Sequence, residues 1–333
     1  MDIKQLRALL AVAETGSVTR AAALLHIVQP AVSRQLRLLE EDVGTPLFSR
    51  GRYGMELTEA GEIFVEHARR ALAELDRARS EMQPSRGASG TVTIGLLPST
   101  CDLLACELVT SVARQFPAVR MRVSMGYTGH LQNWLEIGEV DAALLYDPKP
   151  SPILQVSPLV EEKLWVVACP DAGYSPDSPV NLTQVAHLPM ILPNAPHGIR
   201  TIVQQACMSA GIGLNVAAET NAMSVQKGLV LGGVGITILP GIAIADDVAR
   251  GALSAAPLID AGLERKIVLA LPNNRRIPVA VRCVVDILIA QISDAVRRGI
   301  WTTAQLLIDE RRLSAQPACA LQESGRKPEG DGQ

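Results

Sequence analysis

Residues 17–40 constrain the fold of this chain more than any other stretch of similar length. Ser17 is a favourable N-cap, and the alanines that follow it would let a neighbouring helix approach closely. After a short connection at 26–28, Pro30 fits the first position of a new helix, because its missing N–H would be unpaired there anyway. The stretch therefore predicts two short helices joined by a tight turn.

The second of these helices has an apolar side and an outward side. Val32, Leu36 and Leu39 recur at helical spacing and would face the core. Arginine can pair with guanine, glutamine with adenine, and serine and arginine with phosphates, so the outward side suits a DNA major groove. A packed helical hairpin with a solvated polar face is the alternative, and this stretch alone does not decide between them. The outward residues are Gln29, Ala31, Ser33, Arg34 and Arg37.

The flanking sequence favours the DNA-binding interpretation. Residues 3–13 predict a preceding amphipathic helix, and 47–48 and 55–57 predict two short strands around a turn at 49–54. Arg50 and Arg52 would lie at the tip of this wing, where they suit contact with the DNA backbone or the minor groove.

A long helix is predicted to follow Thr58, over about 59–82. Its apolar residues alternate spacings of four and three, which is typical of a coiled-coil seam and favours pairing with a copy of the same helix. Packing against its own domain is the alternative. A dimer would suit a palindromic DNA site. The seam residues are Phe64, Ala68, Ala71, Leu75, Ala78 and Met82.

Residues 1–85 resemble the winged helix-turn-helix of LysR-type transcriptional regulators. The similarity is carried, in order and at family spacing, by the segments 6–9, 16–22, 29–36, 38–40, 47–48 and 57–61, with Gly44 and Arg50. It implies that Ser17, Thr19, Arg20 and Pro30 belong to the DNA-binding surface. It also implies a homodimer or homotetramer on double-stranded DNA, with RNA polymerase as a further candidate partner.

Beyond residue 90 the pattern alternates between strands and helices, which predicts parallel-type α/β sheets. The resemblance continues more weakly to about residue 300 and is greatest to nitrogen-assimilation-control and aromatic-catabolism regulators. It implies an α/β effector domain of periplasmic-binding-protein type, with two lobes crossed twice by the chain. The expected parts are a winged helix-turn-helix at 1–58, a linker helix at 59–83, a hinge at 84–90, lobe I at 91–163 and 269–305, lobe II at 164–268, and a disordered tail at 314–333.

Three loops at helix starts are candidates for binding a small anionic effector, since helix N-termini offer free N–H groups and a partial positive charge. In the family, the matching loops line the effector cleft. Helix capping is the alternative role for their hydroxyl groups. A carboxylate could pair with Arg200. The candidate effector residues are Ser99, Thr100, Thr128, His197, Arg200 and Thr201.

Other chemistries are less well supported. The glycine-rich run at 232–240 follows a predicted helix and precedes a strand, the reverse of a dinucleotide loop, and it is interpreted as structural. Peroxide-sensing members of the family carry a reactive cysteine directly after the histidine of the third loop, and a partner cysteine further along the following helix. Here Gly198 follows His197, so the reactive cysteine is missing and Cys207 is the one member of the pair that is present. A redox-sensing regulator is therefore the disfavoured alternative. Cys101, at a predicted helix start, could have a lowered pKa, but an inert, buried thiol is the favoured interpretation. We expect no enzyme activity, cofactor or metal.

The charge balance limits how DNA could be bound. The net charge is −3, although residues 1–52 hold seven Lys and Arg against five Asp and Glu. We therefore expect specific contacts and recognition of DNA shape to contribute to the DNA affinity alongside electrostatic attraction to the phosphates. No secretory leader or membrane span is predicted, so we expect a cytoplasmic protein; an exported solute-binding protein is an unsupported alternative. Regulation of transcription without any effector is a further alternative that the sequence leaves open.

Overall fold

The computed structural model describes residues 1–51, 54–81, 87–195, 197–260, 262–302 and 304–308. The predicted tail at 314–333, the first part of the hinge at 84–86, Arg52 and Met82 lie outside these ranges. The chain divides into two compact units, one of residues 1–86 with 137–139, the other of the remaining chain.

The first unit is a winged helix-turn-helix, as predicted. Asp2 caps the first helix in a capping box with Gln5, and Ser17 caps the second. Val28 precedes the third helix without a side-chain cap. The elements are α1 (Ile3–Thr15), α2 (Val18–Leu24), α3 (Gln29–Val43), β1 (Phe48–Gly51), β2 (Gly54–Leu57) and α4 (Glu59–Glu81).

The core of the first unit explains which helix faces are left outside. Ala21 is fully buried where α2 packs against its neighbours, and Val32, Leu36 and Leu39 fix the inner face of α3. The start of α4 joins this core through Ala68, which is 3% exposed, and through the partly buried Phe64. These two predicted seam residues therefore pack within their own unit, because this end of α4 lies against α1.

The second unit is a mixed α/β structure. Its helices are α5 (Pro98–Gln115), α6 (Thr128–Ile137), α7 (Leu182–Val185), α8 (Gly198–Ser209), α9 (Met223–Leu231), α10 (Ala245–Ala249) and α11 (Val279–Arg297). Its strands are β3 (Gly90–Leu96), β4 (Val119–Met125), β5 (Ala142–Tyr146), β6 (Leu154–Ala168), β7 (Met190–Leu192), β8 (Val216–Glu219), β9 (Ile236–Pro240), β10 (Ser254–Pro257), β11 (Glu264–Pro272) and β12 (Ala304–Leu306).

The strand order is β4-β3-β5-β11-β6-β9-β7-β8, with β10 and β12 also paired to β6. The pairs on either side of β3 and of β7 are parallel, whereas β5, β11, β6 and β9 pair antiparallel. The prediction of parallel-type sheets was thus wrong for the centre of the sheet, because β11 returns from the far end of the sequence and inserts between β5 and β6.

Strand β6 serves both halves of the sheet. Its residues 154–163 pair with β11, and 164–168 pair with β9 and β10. It is one continuous strand of 15 residues. We call the part built on β3, β4, β5 and β11 the first lobe, and the part built on β7 to β10 the second lobe.

The return crossing comes earlier than predicted. Ile267 and Val268 already pair with Tyr146 and Leu145 of β5, so these residues belong to the first lobe and not to the predicted lobe II. The pairing of β11 with β6 shifts in register between Ile267 and Val268, as at a β-bulge, while its pairing with β5 is regular.

The glycine-rich run at 232–240 has a packing role. A Cβ atom on Gly235 would lie 2.1 Å from the carbonyl oxygen of Pro189, so only glycine lets these two backbone segments approach. Within the described ranges, no helix combines the length and apolar character needed to cross a membrane.

Candidate functional sites

The first candidate site is the outward face of α3. Gln29, Ser33, Arg34 and Arg37 are exposed, as is Pro30, while Ala31 is half-buried. The Gln29 Nε2 atom donates a hydrogen bond of 2.9 Å to Ser33 Oγ. Arg37 lies 3.5 Å from Glu41, whereas Arg34 has no ionic partner among the described residues. The face thus presents the Arg34 guanidinium, without an ionic partner among the described residues, beside the hydrogen-bonded side chains of Gln29 and Ser33.

The wing is attached firmly to the helices that carry this face. Glu40, on α3, accepts backbone hydrogen bonds from Leu47 and Phe48 at 2.8 and 3.2 Å. The backbone N–H of Met55 donates to the carbonyl of Gly16, which ends α1. Arg50 is exposed on β1. The wing and α3 are therefore held as one surface.

The start of α2 completes this surface. Ser17 Oγ accepts the Arg20 backbone N–H at 3.4 Å, so its oxygen is engaged in capping. Thr19 and Arg20 are exposed beside it. These contacts show where the residues lie; their role toward DNA stays a prediction.

The second candidate site is a cavity in the second unit, where α5, α8 and α9 begin. Its space amounts to about 410 Å³, including the part open to solvent. Most of its wall is apolar, with a small number of polar groups, as is usual for small-molecule sites. The lining residues are Leu97, Pro98, Ser99, Tyr127, Tyr146, Pro193, His197, Ile199, Asn221, Met223, Gln226, Leu239, Pro240 and Arg265.

Of the six predicted effector residues, Ser99 and His197 line the cavity. Three hydroxyl groups serve local structure instead. Thr100 donates to the carbonyl of Leu97, Thr128 exchanges hydrogen bonds with the Tyr146 backbone, and Thr201 donates to the carbonyl of His197.

Arg200 is also absent from the cavity wall. Its Nη1 atom lies 3.0 Å from Glu219 Oε1, close enough for ionic attraction. Neither this Nη1 atom nor the Nε atom of Arg200 makes a hydrogen bond with an acceptor among the described residues. The carboxylate of Glu219 thus already occupies the role that was predicted for an effector.

A buried ion pair at the cavity wall was not predicted. Arg265, on β11, bonds through Nε to Glu162 Oε1 at 2.7 Å and through Nη2 to Ser99 Oγ at 2.8 Å. The other Glu162 oxygen accepts the Trp301 indole N–H at 3.0 Å. The sequence does not single out these two residues, because Glu162 lies in the charged run 161–163 and Arg265 in the charged run 264–266, whose other members are more exposed. Only the fold shows that this pair is buried, as charges rarely are unless paired.

Aromatic rings frame the other wall. The Ile199 N–H donates to Tyr146 Oη at 3.1 Å and to His197 Nδ1 at 3.2 Å. Tyr127 meets the His197 ring edge-on at 4.8 Å, and its hydroxyl donates to the carbonyl of Asn221. Burial, together with the nearby Arg265 charge, lowers the pKa of His197 to about 4. This histidine is therefore neutral at pH 7.

Cys101 and Cys207 lack the lowered pKa of a reactive, peroxide-sensing thiol. Burial, and then the charge of Asp102, raises the pKa of the Cys101 thiol, which agrees with an inert cysteine and not with the alternative of a lowered pKa. Burial and Asp260 raise the pKa of Cys207 likewise. A Cβ atom on Gly198 would lie 2.3 Å from the Tyr146 ring, which leaves no room for a cysteine after His197. The described residues also contain no cluster suited to a metal ion.

A winged helix-turn-helix and a two-lobed domain with a cavity define a class of transcriptional regulators with DNA-binding and effector-binding domains. Comparison with protein families agrees. The LysR substrate binding domain matches residues 85–293, and the bacterial regulatory helix-turn-helix protein of the lysR family matches residues 3–62. The chain belongs to the LysR family.

Similar proteins bear regulator names. HTH-type transcriptional regulator BbuR of Bordetella bronchiseptica is 30% identical over 291 residues, covering 87% of this chain and 90% of BbuR. The nitrogen assimilation regulatory protein nac of Klebsiella aerogenes is 30% identical over 242 residues, covering 72% of this chain and 78% of nac. The crystal structure of full-length CbnR with its target DNA shares the fold, with a TM-score of 0.65 at 22% identity over 90% of this chain and 99% of CbnR.

Proposed function

We propose that this regulator binds an interrupted palindrome in double-stranded DNA as a homodimer or homotetramer. In this proposal α3 enters the major groove, with Gln29, Ser33 and Arg34 nearest the bases, and the wing contacts the backbone through Arg50. The exposed face of α3, held rigidly against the wing by Glu40, is the observation that carries it.

Assembly through α4 supports a two-fold site. After Ala68 enters the core of its own unit, Ala71, Leu75 and Ala78 continue the seam on the exposed side, where Leu75 is 42% exposed. An apolar row of this spacing fits a second copy of the same helix. Two copies related by a two-fold axis would place two α3 helices on two half-sites.

A small anionic molecule in the cavity is the proposed effector. The helices α5 and α9 start at the cavity without side-chain caps. At α5 the candidate donor to an anion is the Ser99 N–H, because Pro98 has no N–H and the Thr100 N–H donates to the carbonyl of Leu97. Glu162 balances the charge of Arg265, and His197 is neutral, so helix starts supply much of the attraction. Binding would shift the population of arrangements that fit the DNA.

The DNA-binding role is tested with DNA that the full chain selects from a random pool. Substituting Arg34 by alanine removes a candidate bidentate base contact, so we expect affinity for the selected DNA to fall about tenfold or more. The matched control is Arg114→Ala, which removes the same charge from an exposed site at the end of α5. Unchanged affinity in the Arg34 variant would refute the assignment of α3.

The effector role is tested by thermal unfolding of the full chain with a panel of small organic acids. Acids that enter the cavity should raise the unfolding temperature, since binding to the folded state stabilises it. Uniformly flat responses would favour effector-independent regulation.

A further inference from the structure

Gln226 is the one lining residue whose polar group is both deeply buried and unpaired within the described ranges. Its side chain belongs to α9, is 3% exposed and lines the cavity. The Nε2 atom has no hydrogen-bond acceptor in the part of the chain that the structure describes. A buried amide without a partner is unfavourable, and leucine or methionine would fill the same space without that penalty.

The position of Gln226 is complementary to the other polar groups of the cavity. Ser99, at the start of α5, and Arg265, on β11, approach from the first lobe. Gln226 approaches from the second lobe, beside Leu239 and Pro240 of β9. Tyr127, Tyr146 and other largely apolar groups complete the wall. A ligand with one polar end would satisfy only one of the two sides.

We propose that Gln226 determines the class of effector: a small carboxylate that carries a second hydrogen-bond acceptor away from its carboxylate group. The carboxylate lies at the start of α5 beside Ser99, and the second acceptor receives the N–H of Gln226. A ligand of this kind contacts both lobes at once. The inference rests on the proposed function of the cavity and adds the chemistry of its ligand.

The experiment uses the full chain and two pairs of acids that differ in the second acceptor: valerate against levulinate, and benzoate against isonicotinate. Affinities come from ligand titrations that follow thermal unfolding. We expect the acceptor-bearing member of at least one pair to bind about tenfold tighter, the scale of one buried hydrogen bond. In Gln226→Leu the two members should bind within about twofold of each other, with the plain acid unaffected.

A matched control is Gln205→Leu, which makes the same chemical change at an exposed position on α8 and should keep the preference. Gln226→Leu should unfold at the same or a higher temperature than the original protein. A marked loss of stability would show that the amide is already satisfied, and would overturn the inference.

Three other results would also overturn the inference: equal affinities within both pairs, a preference that survives in Gln226→Leu, or no binding by any of the four acids. DNA binding by the same samples, compared between the original protein and Arg34→Ala, reports separately on the proposed regulator function. Failure of the ligand class and failure of DNA recognition are therefore distinguishable.

Discussion

At the scale of single residues, His197 shows how the cavity uses a titratable group. Its Nδ1 accepts the N–H of Ile199 at the start of α8, and Tyr127 packs against its ring. Because burial holds its pKa at about 4, the ring acts as a neutral acceptor at pH 7. A neutral histidine cannot serve as the cationic partner of an effector, so its contribution is to position α8.

The depressed pKa predicts how stability depends on pH. Between about pH 6.5 and pH 4, the unfolded chain binds a proton at His197 and the folded chain does not, so stability falls as pH is lowered through this range. The contribution is on the order of 3 kcal/mol and should level off below pH 4. Chemical unfolding of the original protein and of His197→Asn, from pH 7 to pH 4, measures it.

The comparison isolates His197 from the carboxylates that titrate in the same range. His197→Asn keeps a side chain that can cap α8 and lacks the titration. Its unfolding free energy should therefore fall less steeply between pH 6.5 and pH 4. Identical slopes for the two proteins would mean that His197 titrates normally in the folded state.

At the level of elements, the apolar residues of α4 fall into two groups, one packed in the core of the first unit and one exposed. The sequence spacing predicts a single seam, yet Phe64 and Ala68 pack into the core of the first unit. Ala71, Leu75 and Ala78 stay exposed in the single chain. The sequence spacing is the same in both groups, so only the position of the neighbouring helices determines which residues are buried and which stay exposed.

Leu75→Lys should weaken self-association while leaving the fold of the first unit intact. A lysine in the exposed seam would place charge against the partner helix. Sedimentation equilibrium should show a shift toward smaller species. Ala73→Lys, an exposed position off the seam, is the matched control and should keep the original assembly. An unchanged assembly state in Leu75→Lys would exclude α4 as the dimer contact.

Local signals explain which elements could be predicted from the sequence. The helix-turn-helix depends on caps, a proline at a helix start and short-range periodicity, and the structure confirms it. The centre of the sheet depends on contacts distant in sequence: β11 pairs with β5 and β6 across more than a hundred residues. The pairing direction of such strands leaves no local pattern.

The candidate cavity was only partly predictable for the same reason. Ser99 and His197 lie at helix starts, a feature that can be recognised locally, and both reach the wall. Arg265 is held at the wall by Glu162, which is distant in sequence and is itself bonded to Trp301. Arg200 looked available until the fold placed Glu219 beside it.

At the scale of the whole molecule, the distribution of charge and symmetry sets the mode of DNA recognition. A net charge of −3, with a mildly basic first 52 residues, leaves little general attraction to DNA. We therefore propose that affinity comes from matched contacts made twice, by paired first units that recognise two half-sites of one two-fold sequence.

The most direct measurement is selection of DNA from a random pool by the full chain, followed by sequencing. We expect enrichment of an interrupted palindrome, with the two half-sites separated by about one helical turn or a multiple of it. Loss of the symmetric signal in Leu75→Lys would follow from the same assembly. A single asymmetric site, or no enrichment over bulk DNA, would contradict two-fold recognition of DNA by paired first units.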